Sequence, residues 1–391
     1  MRRLLVLLAA FFVCAAASAS AQTPDSGSLG PGTLERGYED RTVRGPGTAH
    51  GAVIYSPGLV REGAAISATP YVVDDLQAAG WDAFRFAPPA AGDIIEVAAA
   101  ALNGAAQELR QRGYKRVVLI GQSYGGWLSL AAASAPGTPV DAVVALAPAA
   151  FGARGEAAEW MANATALMPL AEAVNARRVL VFLFRGDDYD PGGRASALRD
   201  IFVRRGLAAA VIDEPHDLVG HSAGLTRAFA RRFGPCLRDF VDRAEAGTLF
   251  VCPDPGWAAM GDFGVPPDLA SAAAAADAVP GLAPMAGRWY GVYETGREVL
   301  FIPNKLDQDR AEAVYAFGPI IRGVDARSKL AGAGYTQRHG VFDAGTGILR
   351  FAEPEADTII ECRLLADDVL AFAIARKSGG EPLRAMLRRV E

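Results

Sequence analysis

A serine placed between two glycines, directly after a short apolar run, is the feature that most constrains this chain. Residues 116–120 read Arg-Val-Val-Leu-Ile, residues 121–125 read Gly-Gln-Ser-Tyr-Gly, and a helix-forming run follows. The pattern predicts a strand, a sharp turn and a helix, with Gly-x-Ser-x-Gly across the turn. Side chains at Gly121 and Gly125 would collide in such a turn, and the backbone of Ser123 would be strained. The Ser123 hydroxyl is therefore a candidate nucleophile beside the free N–H groups of a helix N-terminus.

Short apolar runs alternate with helical periods from about residue 48 to residue 250. We expect strands at 51–58, 81–86, 116–120, 140–146, 178–184 and 207–212, and helices at 71–79, 93–111, 127–133, 156–174, 194–205 and 222–246, the last with a break near Gly234-Pro235. Repeated strand–helix units predict an α/β fold with a doubly wound, mainly parallel sheet. Sites in such sheets form beyond the carboxyl ends of the strands, where Ser123 falls. The alternative is that the motif is only a strand-to-helix connection that needs small residues. A chain with 43 glycines can contain Gly-x-Ser-x-Gly by chance.

A serine hydroxyl needs a base within hydrogen-bond reach, and the chain offers four histidines. His50 precedes the first sheet strand and His339 belongs to a later β region, which leaves His216 and His221 in the loop before the last long helix. We favour His221, because it stands among glycines at the helix start, where a loop can bring the imidazole over the turn. His216 remains the alternative, although a solvent-exposed loop histidine fits it better.

The group that orients the histidine should follow the strand that ends at Phe184. Residues 186–193 read Gly-Asp-Asp-Tyr-Asp-Pro-Gly-Gly and hold three carboxylates. Such an acidic turn could also bind calcium or be solvated. We prefer Asp190, because Pro191 fixes the turn and places this carboxylate at the loop apex. Asp187 and Asp188 stay open as alternatives.

The chain order Ser–Asp–His, the glycine-flanked serine and the sheet pattern over residues ~45–250 resemble the α/β-hydrolase superfamily, and most of all the dienelactone-hydrolase-like serine esterases. The chain departs from many dienelactone hydrolases in having serine at 123 in place of cysteine, and Tyr189 stands where their acid commonly lies. The resemblance implies an oxyanion hole made by the backbone N–H groups of Leu59 and Tyr124, since Pro57-Gly58-Leu59 corresponds to the family's His-Gly turn.

These residues predict a serine hydrolase that cleaves a carboxylic ester or similar acyl compound and needs no metal or organic cofactor. A serine peptidase is one alternative, because the same triad cleaves amides. A non-catalytic binding protein on a hydrolase scaffold is another, with recognition by the C-terminal β domain. A formal net charge of −5, or −7 once two arginines leave with residues 1–21, disfavours nucleic acid as a partner.

Residues 1–21 have the pattern of a secretory signal peptide. Arg2 and Arg3 precede an apolar run from Leu4 to Ala17, and Ala19-Ser20-Ala21 forms a small-residue cleavage site. The run is shorter than the ~20 residues of a membrane span. We expect an exported protein, periplasmic or secreted, that does not span the membrane.

Three cysteines remain after such cleavage: Cys236, Cys252 and Cys362. Export to an oxidising compartment allows a disulfide to form, and we predict it between Cys236 and Cys252, which are close in sequence. Cys362 lies in a strand pattern and is predicted to be a buried free thiol. No Cys/His spacing resembles a zinc site.

Composition and pattern divide the chain into a signal peptide at 1–21, the hydrolase domain at 22–253, a Pro/Ala/Gly-rich linker at 254–286 and a small antiparallel all-β domain at 287–391. Eight strand patterns predict a sandwich or barrel for the β domain. Its aromatic residues, namely Trp289, Tyr290, Tyr293, Tyr315 and Phe317, are expected to build its own core, or alternatively to expose a platform for a glycan or cell-envelope ligand. We also expect few contacts across the linker, and hence a separable hydrolase domain.

Overall fold

The structure is a computed structural model. It describes residues 33–36, 42–59, 70–89, 94–151, 157–190, 192–215, 218–243, 249–253, 263–270, 277–293, 297–319 and 332–390. The segment predicted as a signal peptide, 1–21, lies outside the described residues. Within these ranges no helix has both the length and the hydropathy needed to cross a bilayer.

The first domain is built on a seven-stranded sheet. Its strands are β1 (Thr33–Arg36), β2 (Ala52–Ser56), β3 (Asp82–Ala87), β4 (Val117–Gln122), β5 (Ala142–Leu146), β6 (Arg178–Leu183) and β7 (Ala208–Asp213), in the order β1-β3-β2-β4-β5-β6-β7. All pairs are parallel except β1 with β3. The central strands β2, β4 and β5 are buried along their whole length, which explains their continuous apolar sequences. The predicted mainly parallel sheet is confirmed, and β1 is an edge strand that the sequence did not reveal.

Helices cover both faces of this sheet. They are α1 (Tyr71–Ala78), α2 (Ile95–Gln111), α3 (Tyr124–Ala132), α4 (Ala157–Ala173), α5 (Ala195–Arg204) and α6 (Arg227–Arg243). The apolar cores differ between the faces: α1 and α6 contribute to one, and α2, α3, α4 and α5 to the other. The predicted break near Gly234-Pro235 is wrong, because α6 runs through Pro235. Proline removes one backbone hydrogen bond from the helix. Burial of the apolar face of α6, where Phe229, Phe233 and Phe240 are fully buried, offsets this loss.

The second domain is a closed antiparallel barrel of eight strands, as the eight strand patterns predicted. They are β8 (Arg288–Val292), β9 (Glu298–Asp307), β10 (Arg310–Phe317), β11 (Gly334–Asp343), β12 (Ile348–Phe351), β13 (Thr358–Ala366), β14 (Val369–Arg376) and β15 (Leu383–Val390). The pairing of β15 with β8 closes the barrel and removes free edges. Large apolar side chains fill the interior, so the barrel is a packed body and not a pore.

The barrel aromatics separate into two sets. Trp289, Tyr293, Tyr315 and Phe317 lie in the barrel core, as expected, whereas Tyr290 belongs to a cluster shared with the first domain. All five are buried, so they do not form an exposed platform for a glycan. Alternation along β8 explains the split, because neighbouring side chains point to opposite faces of a strand.

The segment predicted as a linker, 254–286, contributes to both domains where it is described. Phe263 packs edge-on against the ring of Tyr290 at 6.2 Å. Leu282 and Met285 are buried in the barrel core. The barrel unit therefore begins ahead of residue 287.

A continuous apolar cluster joins the two domains. It contains Phe233 and Leu237 of α6 together with Tyr290 and Leu300 of the barrel. At its side, Arg231 forms an ion pair with the buried Glu298, which also accepts a 2.6 Å hydrogen bond from the Tyr290 hydroxyl. Burial raises the pKa of Tyr290 well above its ordinary value, so the hydroxyl remains a donor. An apolar cluster and the Arg231–Glu298 ion pair therefore cross between the two domains.

The predicted disulfide is present between Cys236 and Cys252, with Cα atoms 5.6 Å apart. It ties α6 to the segment at 249–253, where Phe250 also donates a backbone hydrogen bond to Ala209 of β7. Cys362 is a buried free thiol, as predicted, and burial raises its pKa well above the ordinary value.

Candidate active site

The turn between β4 and α3 has the geometry that its glycines predict. Ser123 has φ 57° and ψ −123°, a region that costs a non-glycine residue about 1–3 kcal/mol. A Cβ atom on Gly121 would lie 2.0 Å from the carbonyl oxygen of Gly125, and one on Gly125 would lie 1.9 Å from that of Ser56. Only glycine fits at both positions, and the strained turn presents Ser123 at the carboxyl end of the central strand. The first domain has the α/β-hydrolase fold.

His221 and Asp187 form a hydrogen-bonded pair at the same end of the sheet. His221 Nδ1 lies 2.7 Å from Asp187 Oδ1, and the Asp187 side chain is only 2% exposed. The backbone N–H of Tyr189 donates to the same carboxylate oxygen at 2.9 Å. Since a carboxylate accepts, Nδ1 is the donor of this hydrogen bond. His221 Nε2 is buried and has no hydrogen-bond partner among the described residues.

The loop that carries His221 is attached to the residue beside Ser123. Gln122 Nε2 donates to the His221 carbonyl at 3.1 Å, and the Gly220 N–H donates to the Arg185 carbonyl at 2.8 Å. Within the described ranges Ser123 Oγ makes no hydrogen bond to His221 Nε2. His216, the alternative base, lies outside the described residues.

The prediction that Asp190 orients the histidine is wrong. Asp190 Oδ2 forms an ion pair with Arg194, with side chains 3% and 4% exposed, and Asp190 Oδ1 accepts the N–H of Gly192 at 2.8 Å. This carboxylate therefore stabilises the start of α5, and Asp187 takes the place beside His221. The sequence held a signal that Asp190 has another partner, because an arginine, Arg194, stands four residues after it.

Sequence reasoning missed the residues of α4 that hold the acidic loop. Asn163 is fully buried, and its Nδ2 donates to the Tyr189 carbonyl at 3.2 Å. Trp160 donates its indole N–H to the carbonyl of Asp188. The Tyr189 ring lies 4.4 Å from the imidazole of His221, centroid to centroid. The sequence offered one signal for Asn163: it is the single asparagine in a mostly apolar helix, and a buried asparagine needs hydrogen-bond partners.

The two predicted oxyanion donors lie together. Leu59 and Tyr124 line one cavity of about 320 Å³, along with Pro57 and Gly58. A Cβ on Gly58 would lie 3.2 Å from Ser123 Cβ, so the chain after β2 passes close to the turn between β4 and α3. The arrangement brings Leu59 and Tyr124 to the side of Ser123.

A larger cleft of about 720 Å³ lies between the first domain and the barrel. One wall is formed by the acidic loop and the histidine loop, including Tyr189 and His221. The other wall belongs to β12–β15 of the barrel and includes Arg363 and Arg384. In the described part of the chain, no three His, Cys, Asp or Glu side chains converge as ligands for a metal ion.

Comparisons with known proteins give similarity in structure only. No protein-family model and no curated protein matches the chain. Among solved structures, an esterase of Pyrococcus furiosus is 13% identical with a TM-score of 0.35, over 50% of this chain and 81% of its own. A dienelactone hydrolase of Anabaena variabilis is 18% identical with a TM-score of 0.36, over 54% and 89%. The protein Est1E of Butyrivibrio proteoclasticus is 13% identical with a TM-score of 0.36, over 49% and 85%. Similarity at this level carries no information on substrate.

Proposed function

We propose that this chain is a serine hydrolase that cleaves a carboxylic ester or similar acyl compound through an acyl-enzyme. Ser123 is the nucleophile, His221 the general base and Asp187 the residue that orients the imidazole. The observation that carries the proposal is the 2.7 Å contact between His221 Nδ1 and Asp187, which leaves His221 Nε2 without a partner on a loop bonded to Gln122. This arrangement supplies a base whose tautomer is fixed.

In the proposed reaction Ser123 Oγ attacks the acyl carbonyl while His221 Nε2 takes the hydroxyl proton. The backbone N–H groups of Leu59 and Tyr124 stabilise the oxyanion, and the N-terminus of α3 adds its dipole. The imidazolium gives its proton to the leaving alcohol, and the acyl group stays on Ser123. Water, deprotonated by His221, then releases the acid and restores the serine. Asp187 stabilises the imidazolium through both halves of the cycle.

We further propose that the protein is exported, after removal of residues 1–21, to the periplasm or the medium. The charged start, apolar run and small-residue site of that segment support this. The Cys236–Cys252 disulfide supports it independently, since disulfides persist in oxidising compartments.

The test is a chain-length series of 4-nitrophenyl esters, assayed with the wild-type protein and with Ser123→Ala and His221→Ala. Both substitutions should lower kcat by about 10⁴-fold or more, because each removes a member of a unit that acts together. His216→Ala is the matched control and should retain most activity. Full activity in a folded Ser123→Ala protein contradicts the proposal, and loss of activity in His216→Ala alone moves the base to His216.

A further inference from the structure

A buried asparagine of α4 makes all four hydrogen bonds that its amide group allows. Asn163 is fully buried, and its Oδ1 accepts the backbone N–H groups of Ala150 and Phe151 at 2.8 and 3.0 Å. Its Nδ2 donates to the carbonyls of Phe151 and Tyr189 at 2.9 and 3.2 Å. These bonds fix which way the amide points, and they join the loop after β5 to the acidic loop after β6.

The loop after β5 holds the backbone of the proposed nucleophile. Ser123 donates its N–H to the carbonyl of Leu146 at 2.9 Å, and its own carbonyl accepts the N–H of Ala149 at 3.3 Å. Between these two bonds Ala147 has φ 46°, which is uncommon for a residue other than glycine. Such a backbone persists where the surrounding contacts determine it. The bonds from Asn163 supply contacts of this kind at the residues that follow Ala149.

The acidic loop holds the proposed acid and base. Tyr189 accepts from Asn163 through its carbonyl and donates its N–H to the carboxylate of Asp187. That carboxylate accepts from His221, and the His221 carbonyl accepts from Gln122, the residue before the nucleophile. Hydrogen bonds therefore form a ring that runs through the β4–α3 turn, the loop after β5, Asn163, the acidic loop and the histidine loop.

Trp160 adds a second contact from the same face of α4. It lies one helical turn before Asn163 and donates its indole N–H to the carbonyl of Asp188. Two side chains of α4 thus bind two successive carbonyls of the acidic loop, those of Asp188 and Tyr189. Because a polar group that is kept from water is costly without its partner, these bonds keep the loop in one place.

We propose that Asn163 is a positioning residue: it sets the place of the acid–base pair relative to the Ser123 turn, and Trp160 supports it. This rests on the proposed hydrolase function and gives α4 a part in the reaction. A displacement of about 1 Å between reacting groups can lower the rate by about 10²-fold, so a side chain that contacts no substrate can still control kcat.

The experiment compares Asn163→Leu with Asn103→Leu, since each replaces a buried asparagine by an apolar residue of similar size. Asn103 of α2 is the matched control, because its Nδ2 donates to the Ala132 carbonyl and to Thr138 Oγ1, outside the hydrogen-bond ring. Both substitutions should lower stability against urea. The assays use 4-nitrophenyl acetate at a temperature where circular dichroism shows each protein to be folded.

The proposal predicts that Asn163→Leu lowers kcat by about 10²-fold with KM nearly unchanged, and slows fluorophosphonate labelling of Ser123 to a similar degree. Asn103→Leu should keep the wild-type kcat and labelling rate. Trp160→Phe removes one hydrogen bond and should lower kcat about fivefold. A purely structural role for Asn163 would instead give equal effects in the two asparagine variants, and that result overturns the inference.

A measurement without turnover separates this inference from the proposed function. The Nδ1 proton of His221, held by Asp187, should give a downfield resonance in proton NMR that is absent in His221→Ala. Exchange should remove this resonance in Asn163→Leu, whereas Asn103→Leu should retain it. A folded Asn163→Leu protein that keeps either the wild-type kcat or the resonance overturns the inference and leaves the hydrolase intact.

Two further outcomes also decide the matter. If the wild type neither hydrolyses the ester nor reacts with the probe, the proposed function fails, and the resonance alone shows whether Asn163 holds the pair. If Asn163→Leu does not fold, Trp160→Phe takes its place: a wild-type kcat in that variant overturns the inference, and the predicted loss supports it.

Discussion

Asp187 and His221 lie 34 residues apart in the chain, yet Asp187 Oδ1 and His221 Nδ1 are 2.7 Å apart. Parallel topology creates this contact, because β6 and β7 end at the same edge of the sheet and the loops that follow them meet there. Gly186 begins the acidic loop with φ 67°, a conformation that glycine adopts without cost, and it turns Asp187 inward.

Asp187→Asn should lower kcat by about 10³–10⁴-fold while the protein stays folded, because the amide keeps the shape of the carboxylate but no longer stabilises the imidazolium. Asp190→Asn should reduce activity much less. It should instead lower the free energy of unfolding by about 3 kcal/mol, since it leaves Arg194 buried without its ion pair. Ester hydrolysis and urea denaturation of both variants measure the two effects. A greater loss of kcat in Asp190→Asn would return the orienting role to Asp190.

Gly125→Ala should destabilise the fold by more than about 4 kcal/mol, because the added Cβ would meet the carbonyl of Ser56 at 1.9 Å. Gly104→Ala in the middle of α2 is the control: its Cβ meets nothing within 4 Å, and alanine should stabilise the helix by up to about 1 kcal/mol. Thermal unfolding followed by circular dichroism reads both. Equal Tm values for the two variants would contradict the close approach of Gly125 to the backbone of Ser56.

The contact between the domains should be important for stability. Glu298→Gln removes the charge that pairs with Arg231 in a buried place, and we expect a loss of about 3 kcal/mol. Glu312→Gln, in the exposed pair with Lys305, is the control and should leave Tm nearly unchanged.

A protein shortened to end at residue 256 should be poorly soluble, since it exposes the apolar cluster that now buries Tyr290 and Leu300. A soluble, active shortened protein would show that the domains are independent.

Removing the disulfide should lower the free energy of unfolding by about 3 kcal/mol in the chain-entropy model, for the 16-residue separation of Cys236 and Cys252. Cys236→Ser tests this by denaturation. Peptide mapping of the non-reduced protein should find the 236–252 link, and Cys362 should react with iodoacetamide only after unfolding. A link that includes Cys362 would be incompatible with its place in the barrel core.

Local pattern was enough to predict the parallel strands around Ser123 and the eight strands of the barrel, because each depends on apolar periodicity within a few residues. The contact of Asp187 with His221 could not be predicted in this way, since Asp187, Asp188 and Asp190 differ only in their neighbours, and the ion pair of Asp190 with Arg194 depends on the path of the Arg194 side chain. The docking of the barrel depends on which face of β8 meets another surface. Alternation shows that Trp289 and Tyr290 face opposite ways, but sequence does not say which side is covered.

The central claim is that Ser123 is the nucleophile, and the most direct measurement is to identify by mass spectrometry the residue that a fluorophosphonate probe modifies in the folded protein. The account predicts one adduct, on the peptide that contains Ser123, with loss of labelling in Ser123→Ala and strong reduction in His221→Ala. Absence of labelling in the active, folded protein, or an adduct on another residue that persists in Ser123→Ala, would contradict it.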